Sequence, residues 1–245
     1  MSIITILLLV GLVVFITHAF EAITGFGCTV LAFPFVIFLM KDLEQSKIIL
    51  SSLAWMTTLY IVVTKFRHIH WKQFWIIILS AGLGMPIGML LFKSLDAAIL
   101  KKALGVFIVI SAAIQLYKCF VPTSVMRSLP KFSGYIFLFT GGIVHGAFAI
   151  GGPLVVLYST GKIPDKGQFR ATMCLLWASL NTMLMFQFMF EKKLNLEAGR
   201  DLLILIPFLI AGILAGEVIH KKVNELLFRK VIFISLFLIG MLMWL

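Results

Sequence analysis

Few residues in this chain can do chemistry, and several lie where lipid tolerates them only for a reason. His18, Glu21, His145 and Glu217 fall inside long apolar stretches. An ionisable group there is costly, so each is a functional candidate. His18 and Glu21 are one helical turn apart on a shared face, which suits a proton relay or a neutralised pair that anchors the fold. Glu217 has a plainer reading, because Lys221 follows one turn later and can pair with it. The other acid and histidine stand just before glycines: Glu21 before Gly25 and Gly27, His145 before Gly151 and Gly152. Glycines let a helix bend at little steric cost. A helix that restarts after such a break aims its free N–H groups and positive dipole end into the protein, which makes an anion site. The candidate donors surround Gly25, Gly27, Cys28 and Thr29 in one stretch, and Gly151 and Gly152 in the other, with Pro153 as the first helical residue. The competing reading is close helix packing at the glycines.

Lys47 and Arg170 each follow a glutamine at the start of the next apolar stretch. They either face headgroups or draw anions into two vestibules. Asn181, Thr182, Ser51 and Ser52 offer a weak polar path or ordinary interhelical hydrogen bonds. Cys28 reads as a small buried thiol or as a site residue. Neither it nor Cys119 and Cys174 shows metal-ligand spacing, and no nucleophile–base set is present. No catalysis, metal or cofactor is therefore expected.

The elements that position these residues are membrane helices. The chain has 245 residues, 61% of them hydrophobic and 13% charged, with mean hydropathy +1.10. A soluble domain is nearer half apolar and a quarter charged. Apolar segments fall at 3–40, 45–64, 73–92, 98–120, 133–161, 171–190, 202–219 and 226–245. They do not alternate, so helices rather than a barrel are expected. The net charge of +11 resides in short loops. It fits topology and lipid headgroups rather than nucleic acid. The N-terminal MSIITILLLV lacks a basic start and reads as the first helix, not a cleaved signal.

The predicted fold is an all-α integral membrane protein of two homologous repeats, 1–121 and 133–245, joined by a loop over 122–132. Gly84–Lys102 aligns without gaps to Gly212–Lys230, each with a GxxxG motif, Gly84/Gly88 and Gly212/Gly216. AITGFG from Ala22 aligns with AFAIGG from Ala147, and Lys47 with Arg170. The first segment of each repeat has the wrong length: as helix, 3–40 would run about 57 Å and 133–161 about 43 Å. A break at the glycines resolves both. Eight crossings with parallel repeats or ten with inverted repeats then follow, and the positive-inside bias slightly favours the second. Both versions place the termini outside.

AITGFGCTVLAFPFVI and HGAFAIGGPLVVLY, with the two GxxxG-to-Lys blocks, resemble the paired motifs of the TauE/SafE group. This is the sulfite exporter and sulfonate-uptake permease superfamily. The resemblance spans the chain and attaches to Gly25, Gly27 and Pro34, then to Gly151, Gly152 and Pro153. It departs in having GFG where a glycine pair is frequent, and in Glu21. It implies a cell-membrane secondary transporter of small sulfur-containing anions, without a nucleotide cofactor. Membrane lipid and other copies of the chain are the further partners expected. An anion channel and a non-transporting membrane component are the alternatives.

Overall fold

The computed structural model describes residues 3–120 and 131–219, with 233, 234, 237, 238 and 241. Among these residues the chain is helical and holds no strand. The helices are α1 (Ile3–Thr24), α2 (Cys28–Met40), α3 (Leu43–Lys65), α4 (Trp71–Ser94), α5 (Ala97–Phe120), α6 (Lys131–Phe148), α7 (Gly152–Ser159), α8 (Lys166–Phe190) and α9 (Leu196–Ile219). A 3₁₀ turn, Phe66–His68, joins α3 to α4. Most of the expected loop 122–132 and final segment 226–245 lies outside the described residues, as does Lys221.

Six helices, α1, α3, α4, α5, α8 and α9, are long and apolar enough to cross a membrane. Large apolar side chains cover their outer faces, among them Leu79, Leu83 and Leu90 on α4 and Leu203, Ile210 and Leu214 on α9. Helices apolar outside as well as inside are made for lipid, and the protein is a multi-pass membrane protein. α2 has 13 residues and α7 has 8. At about 1.5 Å per residue neither reaches across roughly 30 Å of hydrocarbon. The described helices therefore do not supply ten full crossings.

Glycines set which helices touch. A Cβ on Gly84 would lie 2.2 Å from the Phe139 carbonyl oxygen, and one on Gly88 1.9 Å from that of Ile143. Gly142 and Gly146 of α6 press equally on the Ala81 and Met85 carbonyls. α4 and α6 thus lie backbone to backbone and run parallel. The other GxxxG behaves alike: Gly212 meets Phe15 and Gly216 meets Ala19, while Gly11 meets Phe208, so α9 runs parallel to α1. α3 and α8 run antiparallel, with Trp55 Nε1 donating to Thr182 Oγ1 at 2.8 Å and Ser52 Oγ to Met185 Sδ at 3.4 Å. α4 therefore packs on α6 and α9 on α1. One apolar cluster joins α1, α2, α3, α5 and α9 with Ala147 and Phe148 at the end of α6, and another joins α4, α6, α7 and α8 with Ile48 of α3 and Ala198 of α9.

Aspartates start the long inner helices. Asp42 accepts from the Gln45 N–H at 2.9 Å and Asp165 from the Gln168 N–H at 2.7 Å, closing free donors at the openings of α3 and α8. These caps fix the register that carries Lys47 and Arg170 inward. At the end of the bundle shared by α3, α4, α8 and α9, Glu191 is gripped by Lys93 and Lys193, and Lys193 also pairs with Glu44. Burial pushes the Glu191 carboxyl up, but hydrogen bonds from Lys193, Lys93 and Gln187 outweigh it and hold the group at about 2.

Candidate functional site

Both short helices begin at a break. α1 stops at Thr24 because Gly25 turns left-handed, with φ 81°, while its N–H still reaches the Glu21 carbonyl at 2.7 Å. Gly27, at φ 102°, then opens α2. This is a left-handed helix stop followed directly by a helix start, and glycine meets both demands without a Cβ penalty. The Thr24 hydroxyl lies 2.8 Å from the Phe26 carbonyl and helps hold the turn. Pro34 sits within α2 rather than ending it.

At the second break α6 stops at Phe148, and Ala149 turns left-handed at φ 59° with its N–H on the His145 carbonyl at 2.7 Å. Gly151 caps α7, so Gly152 is its first residue and Pro153 its second, one place later than the sequence pattern suggests. Ala149, not Ile150, therefore stands where Gly25 stands, and the motif alignment shifts by one residue. With that shift, Glu21 and His145 occupy matching positions, each giving its carbonyl to a left-handed stop. α7 then doubles back along α6. Gly141 lies against Val155 and the Gly151 carbonyl, and Gly134 against the Tyr158 ring.

The first helix bond of α2 runs from the Leu31 N–H to the Gly27 carbonyl at 3.0 Å. The N–H groups of Cys28, Thr29 and Val30 precede it and have no partner in the helix ladder. α7 offers fewer, since Pro153 has no N–H.

The two breaks meet around one cavity. Glu21, Gly27, Thr29 and Val30 line it from the first, and His145, Ala149, Ile150 and Gly152 from the second. Ala54 of α3 and Trp177 and Asn181 of α8 complete the wall. The cavity holds about 20 Å³, room for about one water. Its polar groups are under-used. Glu21 Oε2, both ring nitrogens of His145, Trp177 Nε1 and Asn181 Oδ1 are buried without a hydrogen-bond partner among the described residues. His145 stacks on Trp177, with ring centroids 5.6 Å apart. It approaches Asn181 without closing a well-directed bond. Buried polar groups are normally paired, so five such atoms around one cavity make it the candidate site.

A family model for the sulfite exporter TauE/SafE matches residues 9–243. The chain belongs to the TauE/SafE family. No curated protein and no solved structure matched it. As a TauE/SafE protein it is a membrane transporter of the class that carries sulfur-containing anions.

Of the TauE/SafE chain's candidate residues, Glu21, Gly27, Thr29, His145 and Gly152 line the cavity. Gly25, Cys28, Gly151 and Pro153 lie in the breaks but outside its lining, and Pro153 borders a separate apolar pocket with Phe107 and Leu157. Lys47 is placed differently from a vestibule charge. It is 1% exposed, and its ammonium donates to the Gly146 carbonyl at 2.8 Å, with the Phe92 ring centroid 4.1 Å away. The capped start of α3 drives it in between the halves. Arg170 packs its stem against Gly25, and its Nε and Nη2 are buried without a hydrogen-bond partner among the described residues. Lys47 of α3 thus reaches the last turn of α6, and Arg170 of α8 reaches the turn at Gly25. Trp177 and Ala54 are wall residues with no sequence signal, because only the antiparallel packing of α3 on α8 brings them to the breaks. Glu217 lies in α9, in the last turns of a helix that packs on α1.

Proposed function

We propose that this protein is a secondary transporter of a small sulfur oxyanion or organosulfonate, with sulfite the leading substrate. The anion binds where the two breaks face each other. The free N–H groups opening α2 and α7 supply the positive field. His145, Asn181, Trp177 and Thr29 supply directed contacts. The observation that carries this reading is the one cavity shared by both breaks, ringed by unpaired buried polar atoms.

The two halves act as inverted repeats in this reading. Support comes from the exchanged pairings, α1 with α9 and α6 with α4, and from the antiparallel α3–α8 pair. The cavity of about 20 Å³ has room for about one water, so in this reading it widens to take the anion. Entry requires one half to move against the other, as alternating access demands. Lys47 and Arg170, each lodged against the other half, are contacts that such a motion would remake.

The test is flux of labelled sulfite, thiosulfate, sulfate and taurine in proteoliposomes containing the purified protein. Saturable sulfite flux, strongly reduced by Gly27→Leu, is the expected result. Undiminished flux in Gly27→Leu removes the site from between the breaks. Unitary currents would instead make the protein a channel.

A further inference from the structure

His18, Glu21 and Cys28 come together at the first break. One ligating atom from each lies within 4.8 Å of the other two, and all three residues are buried. The sequence conceals this set, because Cys28 joins the helical pair only after the chain turns at Gly25 and Gly27.

We propose that these three side chains bind a thiophilic divalent cation of the Zn²⁺ class. His18 Nδ1 lies 2.9 Å from the Val14 carbonyl, which can only accept, so Nδ1 carries the proton. That leaves Nε2 with its lone pair, buried and without a hydrogen-bond partner among the described residues. A backbone carbonyl that fixes the far nitrogen is the usual support of a metal-ligating histidine. Glu21 Oε2 is likewise buried without a partner, and the carboxylate touches the Cys28 thiol. The cluster therefore holds two unpaired candidate ligand atoms beside one thiol.

The donor types select the cation. Thiolate, imidazole and carboxylate suit Zn²⁺ or Co²⁺, whereas Mg²⁺ and Ca²⁺ take oxygen ligands. Binding releases the thiol proton to solvent. The cation with one thiolate, one carboxylate and one neutral imidazole then carries no net charge, which is what a site inside a membrane requires. Zinc bonds of about 2.0–2.3 Å place ligand atoms roughly 3.3–3.8 Å apart, so side-chain rotation closing about 1 Å completes the site. Arg170, packed against Gly25 across the break, acts on the Glu21 carboxylate and opposes a second cation there. The thiolate and imidazole must outweigh it. Three protein ligands leave a fourth position open. Glu21 also lines the cavity, so the site adjoins it. A role in holding the anion rests on the transport reading, and metal occupancy does not.

The experiment is Co²⁺ titration of the full chain in detergent, followed by near-ultraviolet and visible absorption. The expected result is saturation at one equivalent, with a thiolate-to-cobalt charge-transfer band and tetrahedral ligand-field bands. A Cys119→Ser/Cys174→Ser variant, with Cys28 as its only thiol, should keep the band. Cys28→Ser should lose it, and His18→Gln should bind at least about 10-fold more weakly. Lack of a saturable equivalent in the wild-type chain overturns the proposal, as does a band that survives Cys28→Ser. Sulfite added to the cobalt form tests the further role. A shift of the ligand-field bands supports anion contact, and an unchanged spectrum removes it while leaving the metal site standing.

Discussion

Gly27→Ala isolates the break with the smallest change. Gly27 opens α2 at φ 102° and ψ −6°. A residue with a Cβ held left-handed costs about 1–2 kcal/mol, and a strained position up to about 3 kcal/mol. The added Cβ would also stand 3.3 Å from Phe20 Cε1, so the ring must yield by a few tenths of an ångström. If the chain escapes this strain by relaxing the turn, the opening of α2 moves off the cavity. A cost of about 1–3 kcal/mol lowers the population of the site-forming geometry roughly 5- to 150-fold. The control is Gly82→Ala on α4, where nothing lies within 4 Å of the added Cβ. There alanine favours the helix by about 1 kcal/mol. The assay is the initial rate of labelled sulfite flux in proteoliposomes, at matched protein incorporation and with size-exclusion profiles compared. Gly27→Ala should fall at least about fivefold below Gly82→Ala. Equal rates would refute the argument that the left-handed turn forms the site.

Other residues test other parts of the structure. Gly88→Ala places a Cβ 1.9 Å from the Ile143 oxygen. Backbone cannot rotate away, so about 1–3 kcal/mol of overpacking should lower the thermal midpoint in detergent. A midpoint equal to that of Gly82→Ala would show that α4 and α6 do not meet so closely. Asn181→Leu removes a buried polar wall atom beside His145 and should cut sulfite flux about 10-fold, the effect of one lost buried polar contact of 1–3 kcal/mol. Undiminished flux removes Asn181 from the path. Glu191, held at about 2, contributes stability that is complete above its ordinary value of 4.5 and is lost as pH falls through 2. The stability gap between wild type and Glu191→Gln should therefore be flat at neutral pH and shrink below pH 4.5. A gap independent of pH would break the assignment to the Lys93–Glu191–Lys193 cluster.

Much of the fold was legible because lipid imposes a simple rule. Long apolar runs must be helices, so α3, α4, α5, α8 and α9 could be read almost directly. The segments 3–40 and 133–161 fit no whole number of crossings, and glycines lie inside both; α1 ends at Thr24 and α6 at Phe148. Register within the second break was not legible. Ala149 adopts the left-handed turn there, and a single alanine carries no mark of that conformation. Pro153 then falls second in its helix, because Gly151 takes the cap.

Composition and period alone thus determined a helical membrane protein and a small set of ionisable residues within its apolar stretches. These are local properties, fixed by what each stretch can bury in hydrocarbon. Tertiary structure decided what those residues meet. It turned Lys47 inward onto Gly146, set Arg170 against Gly25, and brought Trp177 and Asn181 to the cavity. It also joined Cys28 to His18 and Glu21. Such contacts depend on which helices exchange partners and in which direction they run. That is settled by backbone approach at Gly84, Gly88, Gly212 and Gly216 across the two halves, a non-local quantity that no window of sequence contains.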